Sequence, residues 1–331
     1  MTGFGDSGGD RRQIVISQAK AIELLEAQAG PGRLLEAPLS QWRLAIRRFR
    51  ERRSGMIGLG IVVGLIFVAV FAPVLAPYEP NAVLIGKEDV GPRESPCVHL
   101  LGCDEDTPQH ILGTDGNVRD EFSRIIFGSR VSLTLGAFTV TLALVVGVVI
   151  GAIAGYRGGW VDNILMRVMD VILGFPSLLL AIAIVSVLGP GLQNALLAIA
   201  VVTMPGYARV MRAQVLAIKE SDFVAASRAL GASPTRILIR RVVPNAMTPI
   251  VVLATLGVAT AILEAAGLSF LGLGAQPPTA EWGAMLANER NNVFTSPHLV
   301  FFPGLAIMIT VLGFNLMGDG LRDALDPTLN K

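Results

Sequence analysis

Two cysteines and a histidine are the residues of this sequence whose types and spacing first suggest chemistry. They are Cys97, His99 and Cys103 in the stretch CVHLLGC. Outside the cytosol a close pair of cysteines usually forms a disulfide. As metal ligands the three residues lack a fourth member, and their spacing fits no common zinc pattern. If the stretch is external, we expect a small structural Cys97–Cys103 disulfide, with free thiols or a metal site as alternatives.

The residues needed to bind and hydrolyse a nucleotide are missing from the sequence. A phosphate-binding loop reads G-x-x-x-x-G-K-[ST], but Gly86–Lys87 is followed by Glu88 and lacks the upstream glycine. The net charge is +1, which does not suggest a nucleic-acid partner. We therefore expect no ATPase activity in the chain itself, and no catalytic residue, cofactor or metal.

Two acidic residues, Asp170 and Glu264, stand next to or within long apolar runs. Carboxylates are costly in lipid and usually face a helix-bundle interior or a watery path. Asp170 lies one turn from Arg167, and we expect it to be a helix-packing partner of an arginine or a backbone group. Glu264 is the candidate for a residue that lines a translocation path and meets a substrate amine, with helix packing as the alternative.

Long apolar runs are the elements that must position these residues. Of the 331 residues, 52% are hydrophobic and 16% charged, whereas soluble domains are about one quarter charged. A helix needs roughly 20 apolar residues to cross a bilayer. The sequence predicts an all-α integral membrane protein with about six transmembrane helices. The predicted spans are residues 56–76, 131–155, 171–188, 194–207, 247–263 and 299–317.

The distribution of basic residues predicts the orientation of these spans. Six arginines lie at residues 43–53, before the first span, whereas the loop 77–125 is rich in Asp and Glu. Both termini are therefore predicted to be cytoplasmic, and Cys97 and Cys103 external. Because about 50 residues precede the first span, we expect it to be a retained anchor rather than a cleaved signal peptide.

Residues 222–245, DFVAASRALGASPTRILIRRVVPN, carry four arginines between apolar runs on the cytoplasmic side. We call this stretch the hinged segment. Gly231 suits the left-handed position that follows a helix, and Ser233 and Pro234 suit the start of another, which Pro244 is expected to stop. A plain basic connector is the alternative, but connectors need only a few residues. The length and the hinge favour a docking element that transmits force to the spans.

The hinged segment resembles the coupling loop of binding-protein-dependent ABC importer permeases. The signature of that loop is Glu-Ala-Ala, three residues, Gly, and after nine residues an Ile-x-Leu-Pro ending. The matching positions here are Ala225, Ala226, Ser227, Gly231, Arg241 and Pro244. The glycine and the proline have the family spacing, while Ala225 replaces the glutamate and Arg241 the isoleucine.

Four further stretches, residues 113–133, 174–191, 268–286 and 314–327, resemble the dipeptide, oligopeptide and nickel importer subfamily, specifically its C-type permease subunit. The resemblance runs from about residue 42 to the end of the sequence. It implies the type I ABC importer permease fold in the cell inner or plasma membrane. The implied function is that of a transmembrane permease subunit of an ATP-driven peptide importer, with a nickel-chelate or other solute importer as the alternative.

The resemblance also implies partners. They are a second homologous permease, two ATP-binding subunits that hold ATP and Mg, and an extracytoplasmic substrate-binding protein. The residues expected to couple to the ATP-binding subunits are Ala225, Ala226, Ser227, Gly231, Arg236, Arg240 and Pro244. A secondary transporter or channel would need inverted repeats or broken helices, and we find no internal repeat. A membrane scaffold that transports nothing is a further alternative, but such a protein would not need the hinge.

The sequence also predicts four parts of the chain and two helices that lie along the membrane surface. The parts are a cytoplasmic N-terminal segment (1–54), the first span (55–77), an external loop (78–130) and a permease core (131–331). The core contains a coupling loop (216–246). An interfacial helix at residues 40–54 would place Trp42, Ile46 and Phe49 on one face. A second short helix within residues 279–291 would lie at the outer mouth, as a docking site or an ordinary interfacial loop.

Overall fold

The computed structural model describes residues 41–104 and 106–325, with the side chains of residues 41–45 and 101 left out of the description. Most of the predicted segment 1–54 therefore lies outside the described residues. The chain divides into two units, Met1–Arg47 and Arg48–Lys331, and every helix after α1 belongs to the second. In chain order the helices are α1 Gln41–Glu51, α2 Arg53–Val70, α3 Ala72–Leu75, α4 Glu121–Arg157, α5 Gly159–Leu173, α6 Ser177–Leu188, α7 Leu192–Ile218, α8 Asp222–Ala229, α9 Pro234–Ile237, α10 Val243–Phe270, α11 Trp282–Glu289 and α12 His298–Leu325.

Five helical stretches in the described chain are long and apolar enough to cross a membrane. They are α2, α4, α7, the stretch Pro234–Phe270 and α12. Helices α5 and α6 meet the same criterion only as a pair, bent by 92°, and make a sixth span if the pair is counted as one. The predicted all-α membrane architecture with about six spans is confirmed.

The prediction of one uninterrupted span at residues 171–188 is wrong. The chain breaks at Gly174–Pro176, because proline has no N–H to donate and the residue before it disfavours helical geometry. Helix α6 has 12 residues and is therefore about 18 Å long. A hydrocarbon core is about 30 Å thick, so α6 alone is too short to cross it.

Helices α4 and α7 make the most extensive interhelical contact in the described chain. On α4, three glycines four residues apart face the backbone of α7: Gly147, Gly151 and Gly155. A Cβ on Gly147 would lie 2.7 Å from the carbonyl oxygen of Met204, and one on Gly155 2.9 Å from that of Arg212. Small residues at this spacing let two membrane helices approach closely and gain contact area.

Helix α10 lies at the centre of the bundle and packs against α4, α7 and α12. The largest apolar cluster joins α4, α6, α7 and α10 and consists mainly of alanine and β-branched side chains. Its fully buried members include Ala181, Val185, Ala198, Ile199 and Leu268. On the other side of the bundle, α2 packs against α12, where Gly58 lies against the backbone of Met317.

The segment between α3 and α4, predicted to be external, is held together by a disulfide and by backbone hydrogen bonds within the segment. Cys97 and Cys103 are joined by a disulfide with a Cα–Cα distance of 5.4 Å. The backbone N–H of Cys97 donates to the carbonyl of His110, and that of Leu84 donates to the carbonyl of Val118. These bonds tie residues on either side of the cystine loop to one another.

Buried charged groups fix this segment to the start of α4. The imidazole of His110 is buried, and its Nδ1 lies 2.9 Å from Asp120 Oδ1. Its Nε2 lies 3.2 Å from Glu88 Oε2, which is within ion-pair distance, but this second contact lacks hydrogen-bond geometry. The hydrogen bond with Asp120 raises the pKa of His110, although burial opposes the rise. Arg93 Nε donates to Glu289 Oε2 across 2.8 Å, which connects the segment to α11.

The short helix predicted within residues 279–291 is present as α11. Its side chains Trp282 and Met285 are buried in the chain's own apolar cluster, and the Trp282 indole N–H donates to the carbonyl of Ile125. Glu281 caps the helix by accepting from the backbone N–H groups of Gly283 and Ala284. Trp282 and Met285 therefore hold the helix in place and are not free to contact a docking protein.

The close contact between α4 and α7 yields a prediction. A Gly151→Val substitution places a Cβ against the carbonyl oxygen of Ala208 and 2.8 Å from Met211 Cβ. Overpacking that forces the backbone to move costs about 1–3 kcal/mol, and occasionally more. We expect a large loss of thermal stability in detergent, measured by fluorescence-detected size exclusion. Gly64→Val on α2, where nothing lies within 4 Å of an added Cβ, is the control and should leave stability nearly unchanged.

Candidate functional site

The turn between α8 and α9 is fixed by Gly231. Its φ is +78°, in the left-handed region that other residues avoid. The N–H of Gly231 donates to the carbonyl of Arg228 at 2.9 Å, and the N–H of Ala232 donates to that of Ser227 at 3.1 Å. This pair of bonds is the Schellman motif, which satisfies the last carbonyls of a helix. The predicted role of Gly231 as the residue after the helix is confirmed.

The second half of the hinged segment differs from its prediction. Ser233 precedes α9 with an extended backbone, but its hydroxyl makes no capping hydrogen bond, and Pro234 occupies the first turn. A π-helical turn, Leu238–Val242, then leads into α10 without a break. The prediction that Pro244 stops the helix is wrong. The N–H of Val243 reaches back five residues to Leu238, and Pro244 falls in the first turn of α10, where a missing N–H costs little.

Three buried aliphatic side chains attach the hinged segment to the bundle. Val224 of α8, Ile237 of α9 and Val242 of the π-helical turn are 0–1% exposed. They pack in one cluster with Met211 and Val215 of α7, and with Ala152 of α4. Full burial of such a side chain contributes roughly 1.5–3 kcal/mol. Displacement of the hinged segment therefore pulls directly on α4, α7 and α10.

The open face of α8 carries small and apolar side chains. Ala225 and Ala226 are exposed, and Ser227 turns its hydroxyl back to donate to the carbonyl of Phe223. Phe223 and Leu230 are 45% and 88% exposed. These two apolar residues, seven positions apart and thus on one helix face, are absent from the residues predicted from the sequence. Their helical spacing next to small residues is the signal that identifies them.

Three arginines line a depression beside this face, which we call the arginine pocket. It has a volume of about 420 Å³, and its lining includes Ser227, Leu230, Arg236, Ile237, Arg240 and Arg241. The structure thus brings the predicted Arg236 and Arg240 together with Ser227, whereas Ala225 and Pro244 are not part of the lining. Arg236, Arg240 and Arg241 are exposed, and among the described residues no acidic side chain pairs with them.

Two other arginines on the predicted cytoplasmic side are paired with carboxylates within the chain. Arg212 makes two hydrogen bonds to the carboxylate of Asp162, at 2.5 and 2.6 Å. Arg209 pairs with Asp170 at 2.6 Å. The expected arginine partner of Asp170 is thus present, but it comes from α7 and is not Arg167.

Glu264 lies on α10 and is half-buried. Its Oε2 is buried without a hydrogen-bond partner in the described part of the chain. A buried carboxylate oxygen without a partner is costly, so this position calls for a ligand, a water or a group from another chain.

Comparison with known families gives two separate matches. Residues 147–331 match the binding-protein-dependent transport system inner membrane component. Residues 40–95 match the N-terminal TM domain of oligopeptide transport permease C. The first match covers more than half of the chain and contains the hinged segment.

Curated relatives align over nearly their whole length. The dipeptide transport system permease protein DppC of Alkalihalophilus pseudofirmus is 44% identical over 311 residues, which are 94% of this chain and 98% of that protein. The glutathione transport system permease protein GsiD of Escherichia coli is 44% identical over 289 residues, or 87% of this chain and 91% of that protein.

A solved structure shares the fold. A chain of the inward-facing MetNI methionine ABC transporter superposes with a TM-score of 0.52 at 18% identity, and the match covers 61% of this chain and 96% of that one. The fold is therefore that of a type I ABC importer permease. Together with the family matches and the relatives, this identifies the chain as a member of the family of inner membrane components of binding-protein-dependent transport systems.

Proposed function

We propose that this chain is the C-type permease subunit of an ATP-driven peptide importer in the cell inner membrane. It forms the translocation path with a second homologous permease. Two ATP-binding subunits, which hold ATP and Mg, drive the pair, and an extracytoplasmic binding protein delivers the substrate. The observation that carries the proposal is the hinged segment, whose outer face is open while its inner face is packed into the bundle.

The hinged segment is suited to transmit movement. Its exposed residues Ala225, Ala226 and Leu230 offer a small-residue surface with an apolar tip. Its buried residues Val224 and Ile237 belong to the same cluster as side chains of α4 and α7. A groove that closes around the outer face would move the segment as a unit. Because α9 continues through the π-helical turn into α10, the movement reaches the membrane without a flexible linker.

A peptide substrate is supported by the relatives. The two named above are permeases for a dipeptide and for glutathione, which is itself a peptide. The alignments cover 94% and 87% of this chain. The peptide assignment rests on these names together with the family match, and a nickel chelate or another solute is the alternative.

We assign Glu264 a role in the translocation path. Its unpartnered Oε2 on the central helix α10 would receive the amino group of a peptide. This would explain why an acidic side chain is kept in an apolar helix.

We predict that the hinged segment is cytoplasmic. A Ser233→Cys variant places an exposed thiol in the hinge, and the native cysteines are not free because they are joined to each other. In intact cells a membrane-impermeant maleimide should leave Cys at this position unmodified, and permeabilised cells should show full modification. Labelling in intact cells would reverse the proposed orientation.

Gly231 tests whether the hinged segment couples to ATP hydrolysis. A Gly231→Val substitution forces a β-branched residue to a φ of +78°, a strain of about 1–3 kcal/mol. The bundle is untouched, so membrane insertion and pairing with the second permease should persist. Binding of the ATP-binding subunits and substrate-stimulated ATP turnover should both fall.

A matched substitution at the same position serves as the control. Asn tolerates the left-handed region better than other residues, so Gly231→Asn should retain most of the ATP turnover. Ala225→Glu, which restores the residue of the family signature, should also be tolerated. Normal substrate-stimulated turnover in the Gly231→Val complex would reduce the hinged segment to a connector and contradict the proposal.

Glu264 yields a separate prediction about substrate. A Glu264→Gln substitution keeps the shape of the side chain but removes its charge. We expect uptake of a dipeptide into reconstituted vesicles to fall several-fold, since a charged hydrogen bond contributes about 1.5–3 kcal/mol, while uptake of the N-acetylated dipeptide is unaffected. Equal effects on both substrates, or none on either, would show that Glu264 does not receive the amine.

A further inference from the structure

The arginine pocket holds positive charge that the chain itself does not neutralise. Arg236, Arg240 and Arg241 all line it and are all exposed, and no carboxylate of the described residues pairs with them. By contrast, Arg209 and Arg212 have Asp170 and Asp162. Three like charges in one depression repel one another, which raises the energy of the unbound state and favours an anionic occupant.

The pocket is also partly apolar. Leu230 and Ile237 form part of its wall beside the guanidinium groups. Its volume of about 420 Å³ falls within the range of about 300–1,000 Å³ that is typical of ligand sites. A guanidinium fork binds a carboxylate in two parallel hydrogen bonds. The lining therefore fits a carboxylate that is carried on a protein segment with apolar neighbours.

We propose that the arginine pocket receives an acidic side chain of the ATP-binding subunit, so that this charge contact selects the partner that docks on the hinged segment. The inference rests on the proposed function, because it requires that the ATP-binding subunit docks there. The signature glutamate of the family's coupling loop is Ala225 in this chain. At this interface the permease therefore carries positive charge on its arginines, and the ATP-binding subunit supplies the complementary carboxylate.

An anionic lipid headgroup has the same charge and is the competing occupant. The position of the pocket favours the protein partner. It lies between α8 and α9, next to the exposed Leu230 at the tip of the segment. The apolar cluster that joins the segment to α4 and α7 contains the buried residues Val224 and Ile237, whereas Leu230 and the three arginines are exposed. The arginines therefore lie on the docking side of the segment.

The test uses Arg236→Gln and Arg240→Gln in the full permease pair, reconstituted in nanodiscs of phosphatidylcholine alone or with phosphatidylglycerol. The affinity of the purified ATP-binding subunits is measured at about 0.1 M and about 1 M salt, between which the screening length falls from about 10 Å to about 3 Å. We expect each variant to weaken binding by about 30-fold at low salt, the loss typical of a truncated interfacial charge pair. The loss should shrink at high salt and be the same in both lipids.

Arg228→Gln is the matched control. Arg228 belongs to α8 and is exposed, but it does not line the pocket. Its substitution removes the same charge from the same segment and should change affinity much less. Equal losses in all three variants would overturn the pocket as the specific site and leave only a general charge effect.

Further outcomes separate this inference from the proposed function. If Gly231→Val abolishes binding while Arg236→Gln and Arg240→Gln bind normally, docking stands and the charge contact is wrong. If the arginine variants lose affinity only in phosphatidylglycerol nanodiscs, the occupant is a lipid headgroup and the inference is overturned. If Gly231→Val and the arginine variants all bind like the unmodified chain, the proposed function fails and the inference fails with it.

Discussion

The apolar cluster between the hinged segment and the bundle is the interaction on which the rest of the structure depends. Val224, Ile237 and Val242 enter it from one side, and Met211 and Val215 from the other. None of these side chains is more than 1% exposed. Without these side chains the segment would be a polar loop attached only at its two ends. Movement of its surface would then deform the loop and would not move the helices of the bundle. With them, we propose, a push on the outer face becomes a movement of α7 and α10.

The glycine ladder of α4 makes that transmission rigid. Gly147, Gly151 and Gly155 bring α4 and α7 into backbone contact over two turns, and Ala152 from the same stretch joins the cluster beneath the hinged segment. Closely packed interiors transmit displacement because they compress little. The bend between α5 and α6 lies beside this rigid pair, and α5 is tied to α7 by the Asp162–Arg212 and Asp170–Arg209 contacts. A rigid pair next to a bent helix is a suitable basis for alternating the side to which a path opens.

The sequence predicts well those features that depend on local chemistry. Apolar runs locate the spans, and Gly231 marks a left-handed turn because few other residues adopt that backbone conformation. The sequence predicts poorly the features that depend on tertiary contacts with other helices. Pro244 reads as a stop, yet the π-helical turn before it allows α9 and α10 to continue. The break at Pro176 and the arginine partner of Asp170 likewise depend on where α6 and α7 come to lie.

Exposure separates the arginines of this chain in a way that residue type alone cannot. Arg212 and Arg236 are the same residue type on what is predicted to be the same side of the membrane, and the positive-inside rule accounts for both equally. In the fold, Arg212 completes a partly buried contact with Asp162, while Arg236 lines an open pocket. The first arginine stabilises this chain, and its removal would leave Asp162 without its partner. The second pairs with no carboxylate of the described residues, and we propose that its counterpart is a carboxylate of the docking partner.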